Sequence, residues 1–186
     1  MRRFVSLTIA AGLAMAATPL AAQTTGTESD IAYAEAIWAR MEERGLAGTG
    51  AVMALPYRGT EPHGAMLETF FVEAEVEGDS GVLVIKRNYG PADIATDAVL
   101  SSPDEHLASV TVMFQRPGYD PEHGDWFYAK YLPDGSLDTN ADGMSLAGAP
   151  ARGMVGQDRT AGCVACHAEA PGGDYLYTTD AFGDDG

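Results

Sequence analysis

The sequence predicts an α+β fold in which helices pack on a small antiparallel β-sheet. Three observations support this prediction. One segment near the N-terminus has helical periodicity, four later segments are β-branched or aromatic runs bounded by turn residues, and no strand–helix–strand alternation indicates a parallel sheet. The length of 186 residues, without an internal repeat or a linker, is typical of a single domain.

The first residues, MRRFVSLTIAAGLAMAATPLAAQ, predict a secretory leader. Arg2 and Arg3 precede an apolar run, and small residues end it near Ala22, which is the pattern of a leader with its cleavage site. A membrane anchor is the alternative, but the run is short for a span and Pro19 interrupts it. We therefore expect residues 1–22 to be a signal peptide and residues 23–186 to form one exported, periplasmic domain that is not held in the membrane.

The chain is strongly acidic, with a formal net charge of −16. Without Arg2 and Arg3, the expected mature chain carries a formal charge of about −18. This charge disfavours binding to nucleic acid. It would attract a basic redox partner protein, although acidity is also an ordinary source of solubility.

The segment TESDIAYAEAIWARMEERGLAG predicts the first helix. Thr27, Ser29 or Asp30 can cap its start and Gly45 can end it. Apolar side chains recur at helical spacing, at Ile31, Ala34, Ile37, Trp38 and Met41. The Gly- and Pro-rich stretch that follows, GTGAVMALPYRGTEPHG, predicts a loop.

Four segments predict strands. AMLETFFVEAEV and GVLVIKRNY, joined by EGDS, predict a hairpin, and HLASVTVMFQR and DWFYAKYL, separated by the turn-rich PGYDPEHG, predict two more strands. ADIATDAVL predicts a short helix between these pairs. Residues 133–156 predict a long loop, a short helix is expected from Cys163 to Glu169, and an acidic tail ends the chain.

The only two cysteines, Cys163 and Cys166, stand directly before His167 in the motif CVACH. A thioredoxin-like redox pair would lie in a βαβ unit, and a structural zinc site would need a second pair of ligands, whereas no other cysteine exists. In a covalent heme c, the two thiols add to the porphyrin vinyl groups and the histidine binds the iron. Such heme is attached after export, which agrees with the leader, so one heme c is the favoured interpretation.

The position of the motif differs from that in an ordinary electron-transfer cytochrome c, where the sixth iron ligand lies downstream. No Met, His or Lys follows His167. Upstream candidates for a sixth ligand are His63, His106, His123, Met53, Met66, Met113, Met144 and Met154. The histidines lie in polar loops, where solvation is expected, and Met66 and Met113 lie in strands, where packing is expected. We therefore expect an open sixth position, which binds or transforms small molecules.

Lys86 and Lys130 are the only lysines of the chain. Alternation along GVLVIKRNY places Lys86 on one face with Val82, Val84 and Asn88, and Lys130 shares a face with Trp126, Tyr128 and Leu132. A lysine at the end of a row of apolar side chains either extends its ammonium group to water or acts in a pocket. The pattern alone favours the position in water.

Four stretches, in order along the chain, resemble the cytochrome P-460 family: EPHGAMLETFFVEA, GVLVIKRNYGP, VTVMFQRPGYDPEHGDWFYAKYLPDGSL and GCVACHAEAPGGDYLYT. The resemblance extends over about residues 62–178. It implies a periplasmic, usually homodimeric, antiparallel-sheet protein that carries one heme c.

The resemblance also implies roles for single residues. Cys163 and Cys166 match the thioether cysteines, and His167 matches the proximal iron ligand. Lys86 matches the lysine that is bonded to the porphyrin edge in cytochrome P-460, which makes it a candidate pocket residue and leaves the bond itself open. Family members with the cross-link oxidise hydroxylamine towards nitric or nitrous oxide, and the cytochrome c′-beta relatives, without it, bind nitric oxide or carbon monoxide.

The distal side departs from the family pattern. Hydroxylamine-active members resemble one another in a carboxylate placed over the iron by the strand after the lysine, and here SVTVMFQ has none. Glu68, on MLETFF, is the candidate distal acid–base, with a solvent-facing position as the alternative. The pocket is expected to include Phe70, Thr111, Met113 or Phe114.

Three functions are compatible with these features. The first is hydroxylamine oxidation at an open iron, with Glu68 as the base and Lys86 as the possible cross-link. The second is a binding module for nitric oxide or carbon monoxide without the cross-link. The third is electron transfer with an upstream sixth ligand.

Overall fold

The computed structural model describes residues 25–60, 62–148 and 162–177. In these ranges one antiparallel sheet contains six strands, each paired with the next along the chain. The strands are β1 (Tyr57–Arg58), β2 (Met66–Val76), β3 (Asp79–Tyr89), β4 (Leu107–Gln115), β5 (Trp126–Tyr131) and β6 (Ala147–Gly148). The helices are α1 (Glu28–Glu43), α2 (Thr96–Ser101), α3 (Pro103–His106) and α4 (Cys163–His167), with a 3₁₀ turn at Pro121–His123. The predicted α+β class with an antiparallel sheet is confirmed.

Helix α1 forms where its sequence predicts it. The Thr27 side chain accepts a hydrogen bond from the Asp30 backbone N–H at 3.1 Å and caps the first turn. At the other end, Gly45 adopts a left-handed φ of 64°, and the Leu46 N–H donates to the Met41 carbonyl at 2.8 Å. The left-handed Gly45 and the bond from Leu46 back to Met41 end the helix in a Schellman arrangement.

Strands β2 and β3 form the predicted hairpin, but the turn has two residues and β3 begins at Asp79, so the predicted connection EGDS was two residues too long. Glu77 and Gly78 both have positive φ, 50° and 88°, which suits the right-handed twist of the strands. Val76 pairs with Asp79 across this turn, and the pairing continues without a break to Met66 and Tyr89. The turn therefore sets which side chains of the two strands share a face.

The two faces of the sheet have different surroundings. The helix face packs with α1 in the main apolar core and includes Glu68, Phe70, Leu83, Ile85, Arg87, Phe114, Phe127 and Tyr131. The cavity face lies on the other side and includes Thr69, Phe71, Val84, Lys86, Asn88, Ser109, Thr111, Met113, Tyr128 and Lys130.

Short elements depart from the predicted loops. The stretch predicted as a loop after α1 contains β1, which pairs with β2, and residues 133–156 contain β6, which pairs with β5. Helix α3 was not expected either. The two-residue strands are defined by their pairing partners, and none of these short elements has a periodicity of its own. Residues 149–156, the leader and the acidic tail lie outside the described residues.

Within the described ranges, none of the helices has the length and apolar character needed to cross a bilayer.

Candidate functional site

A cavity of about 370 Å³ lies on the cavity face of the sheet. Strands β2 to β5 form its floor. Side chains of paired residues stand in rows across this part of the sheet. One row consists of Thr69, Lys86, Thr111 and Lys130, and the next of Phe71, Val84, Met113 and Tyr128. The C-terminal segment supplies a further wall with Gly162, Cys163, Cys166, His167, Leu176 and Tyr177. The cavity thus joins two distant parts of the sequence.

His167 is held in a defined orientation at the end of α4. Its Nδ1 lies 2.7 Å from the Tyr175 carbonyl oxygen. Because a carbonyl only accepts, Nδ1 carries the proton, and in a neutral ring Nε2 then bears the lone pair. Metal-binding histidines are commonly oriented by such a bond. Nearby, the Tyr177 hydroxyl donates to the Cys166 carbonyl at 2.7 Å and ties the segment back onto α4.

Both cysteines are free thiols on the cavity wall. Cys163 packs against the cluster of Val84, Met113 and Tyr128, and burial raises the pKa of its thiol to about 11. A redox-active cysteine of the thioredoxin type has a lowered pKa. The shift at Cys163 has the opposite sign, so the redox interpretation of the motif loses support.

Lys86 is buried, with 9% of its surface exposed, and lines the cavity. Its neighbours across the strands are Thr69 and Thr111. The expectation from pattern alone, that this lysine extends to water, is therefore wrong. Lys130 differs, because its Nζ forms an ion pair with Asp138 Oδ2 at 2.8 Å.

Two buried polar atoms in the described part of the chain lack a hydrogen-bond partner, Asn88 Oδ1 and the Tyr128 hydroxyl. Both residues line the cavity. The amide nitrogen of Asn88 lies 3.1 Å from Ser109 Oγ and 3.3 Å from the Ser109 carbonyl, an acceptor, which fixes the amide orientation. A buried polar atom without a partner is costly. The cavity is therefore suited to an occupant with polar groups.

His63 also lines the cavity, although a solvated position was expected from its polar loop. Its ring centre lies 6.1 Å from that of His167, and its Nδ1 is 3.4 Å from Thr111 Oγ1. Burial, followed by the positive charge of Lys86, lowers the pKa of His63 to about 3. The ring is therefore neutral at physiological pH, and a neutral imidazole can form hydrogen bonds or bind a metal.

Glu68 is not in the cavity, so its predicted role as the distal base is corrected. It is fully buried on the helix face, where Arg87 Nη1 donates to Oε2 at 3.3 Å and the Ala54 N–H donates to Oε1 at 2.7 Å. The Tyr89 hydroxyl donates to Oε2 as well. The predicted alternative, exposure to solvent, is also wrong.

Phe70 needs the same correction. It lies on the helix face, where the Arg87 guanidinium sits 5.1 Å from the ring centre. Phe114 is fully buried on that face too. Phe71 lines the cavity in place of Phe70, whereas Thr111 and Met113 lie in the cavity as expected.

The other candidates for a sixth ligand lie elsewhere, apart from Met113. Met66 is buried in a separate cluster with Tyr89, and His123 pairs with Asp120. Met53, Met144 and His106 are absent from the cavity lining, and Met154 lies outside the described residues.

Comparison of the chain with models of protein families, with curated proteins and with solved structures finds no match. In the described ranges, no group of three or more His, Cys, Asp and Glu side chains could hold a metal ion. A heme needs no such group, because the porphyrin supplies four iron ligands and the protein supplies one or two.

Proposed function

We propose that the protein is an exported mono-heme c-type cytochrome of the P-460 type that oxidises hydroxylamine towards nitric or nitrous oxide. The observation that supports this most strongly is that Lys86 of β3 and the CVACH motif of α4 line one cavity. The proposal includes the P-460-like fold, a periplasmic location, a homodimer and a basic redox partner protein attracted by the acidic chain.

The residues of the cavity fit a covalent heme. The thiols of Cys163 and Cys166 would hold the porphyrin, and Nε2 of His167 would hold its iron. Val84, Met113 and Phe71 provide apolar wall, and Asn88 Oδ1 and the Tyr128 hydroxyl are polar atoms that an occupant can satisfy. When bound, the heme would supply the redox chemistry by accepting electrons from the substrate.

The side chains of the cavity would position hydroxylamine by hydrogen bonds. Asn88 Oδ1 can accept a hydrogen bond from an N–H or O–H of the substrate. No carboxylate lines the cavity in the described part of the chain. His63 also lines the cavity, and its neutral imidazole can form a hydrogen bond with the substrate, although its lowered pKa makes it a weak base.

A nitric oxide or carbon monoxide binding module is the second candidate. The lack of a carboxylate among the described cavity residues favours it, because binding of these gases does not require a base. Under this candidate, Lys86 would not be bonded to the porphyrin.

The test is to express the chain with its leader in a host that matures c-type cytochromes and to compare wild type with Lys86→Met. We expect a red-shifted ferrous Soret band, a heme peptide that includes Lys86, and hydroxylamine-dependent reduction of an artificial acceptor. Lys86→Met should lose the shift and the linked peptide. Lys130→Met, the only other lysine, should keep both.

The two candidates predict different results in the same experiment. Covalent heme with no red shift, no turnover and tight nitric oxide binding would establish the binding module. Protein without covalent heme would exclude both candidates.

A further inference from the structure

Residues 46–57, which follow α1, form an uncharged segment that carries several exposed apolar side chains. It contains no Asp, Glu, Lys, Arg or His, although the whole chain has a formal net charge of −16. Val52, Met53 and Leu55 are 55%, 37% and 77% exposed among the described residues. Large apolar side chains that are exposed next to one another indicate an interaction site.

The backbone of this uncharged segment is held by buried polar side chains. Arg87 donates to the Leu46 carbonyl at 2.6 Å and to the Val52 carbonyl at 2.8 Å, and Glu68 Oε1 accepts from the Ala54 N–H at 2.7 Å. Both Arg87 and Glu68 are buried. The exposed apolar side chains therefore stand on a fixed backbone, which lowers the entropic cost of binding through them.

A small cavity of about 50 Å³ lies beside the same segment. Its lining is mainly apolar and includes Trp38, Ala47, Ala51, Met53, Leu107 and Val110. A water-sized group takes up roughly 10–15 Å³ of such space, so the cavity has room for roughly four of them. A leucine side chain, with four carbon atoms, is about this size.

We propose that Leu55 inserts into this small cavity of a second copy of the chain and that the reciprocal contact forms the homodimer interface. A two-fold axis makes such a contact reciprocal, because each subunit presents both the inserting side chain and the cavity. The inference rests on the homodimer of the proposed function and goes beyond it by assigning the surface.

The charges around the uncharged segment favour a second copy as the occupant. Two copies of an acidic chain repel each other, so their contact is least costly where neither surface is acidic. Arg58, three residues after Leu55, is exposed, and so is Asp104 in the cavity lining. Opposite charges beside the inserting side chain and beside the cavity favour their pairing between subunits. A basic redox partner protein would instead be attracted to the acidic surface.

The proposed interface lies away from the larger cavity. Arg87 and Val110 of the small cavity belong to the helix face, whereas Lys86 and the CVACH motif line the larger one, and the two cavities share no lining residue in the described ranges. The interface would thus leave each proposed heme accessible to its substrate and to its redox partner.

The test is sedimentation velocity of the exported, heme-loaded protein at several concentrations. We expect wild type and Met144→Asp to be dimers, because Met144 is 43% exposed but lines neither cavity. Leu55→Asp should raise the dimer Kd by roughly 100-fold or more, since the symmetric interface loses two buried leucines. Ala51→Leu, which fills the small cavity without adding charge, should also weaken the dimer.

The visible spectrum of the same samples separates this inference from the heme proposal. All four proteins should keep the covalent heme and its spectrum. A wild type that is monomeric at every concentration, a dimer that Leu55→Asp leaves intact, or an equal loss with Met144→Asp would overturn the assigned interface while the heme remains. A colourless protein that still dimerises through Leu55 would reject the heme proposal and leave the interface in place.

Discussion

The two faces of the sheet differ in whether their buried polar groups have hydrogen-bond partners, although the same strands form both faces. On the helix face, Glu68 accepts hydrogen bonds from Arg87, from Tyr89 and from a backbone N–H. On the cavity face, Asn88 Oδ1 and the Tyr128 hydroxyl have no partner. A satisfied network stabilises the fold, whereas buried atoms without partners indicate a surface suited to binding an occupant.

Adjacent residues of one strand show the contrast most clearly. Arg87 donates to the Leu46 carbonyl at 2.6 Å and to the Val52 carbonyl at 2.8 Å, which holds the segment after α1 against the sheet. Lys86, one position earlier, lines the cavity. We therefore expect substitutions on the helix face to change stability and substitutions on the cavity face to change the heme and its ligands.

The largest expected effect on stability is that of Glu68→Ala. The substitution leaves the buried Arg87 charge without its carboxylate, and breaking a buried pair in this way costs about 3–5 kcal/mol. Urea unfolding measures the loss, and Glu73→Ala, at an exposed position of the same strand, is the control with little change. Lost hydroxylamine turnover in a stably folded Glu68→Ala protein would contradict the assignment of this residue to the helix face.

Phe70→Ala and Phe71→Ala form a matched pair of neighbouring substitutions. Phe70 packs on the main core, so its removal should cost about 2 kcal/mol, less than for a fully buried phenylalanine. Phe71 is 43% exposed, so its removal should change stability less and the heme absorption more. If both variants lose the same stability and keep the same spectrum, the division into two faces fails.

Alkaline pH tests the helix face through Tyr131. Burial raises the pKa of this phenol above its ordinary value, so the unfolded chain ionises first and stability falls as pH rises above about 10. Between the two pKa values, each such tyrosine contributes a loss of about 1.4 kcal/mol per pH unit. Tyr131→Phe should reduce this slope in urea unfolding measured from pH 9 to 11, and an unchanged slope would contradict the burial of the phenol.

The smallest expected effect is that of Tyr128→Phe. Its hydroxyl has no partner among the described residues, so the substitution should change stability by about 0.5 kcal/mol or less. Tyr131→Phe at neutral pH is the comparison, because the Tyr131 hydroxyl donates to the Ala34 carbonyl at 2.7 Å and its loss should cost about 1 kcal/mol. Equal losses for the two variants would mean that Tyr128 has a partner within the protein.

Much of the fold was predictable because it depends on local signals. The Thr27 cap, the Gly45 end and the alternation around Lys86 are all readable from neighbouring residues. The hairpin itself was predicted, but its connection was taken as EGDS, whereas the turn consists of Glu77 and Gly78 alone and pairs Lys86 with Thr69. That pairing places Glu68 and Phe70 on the opposite face, which the prediction for these residues overlooked.

The rest of the site could not be read from sequence because it depends on non-local contacts. Nothing near His63 in the chain indicates that its ring meets His167, since the two residues belong to distant segments. The lack of hydrogen-bond partners at Asn88 Oδ1 and the Tyr128 hydroxyl likewise becomes apparent only when β3, β5 and α4 are assembled. Strands β1 and β6 are too short for a periodic signal and form through their pairing with β2 and β5.

The central claim is that the cavity face holds a porphyrin bonded to Cys163 and Cys166. The most direct measurement is the intact mass and visible spectrum of the exported protein after extraction with acid and organic solvent, which removes non-covalent heme. Cys163→Ala combined with Cys166→Ala is the control and should lose its colour. We predict that the wild-type chain keeps its colour and the mass of one added heme; a colourless wild-type chain of unmodified mass would contradict the account.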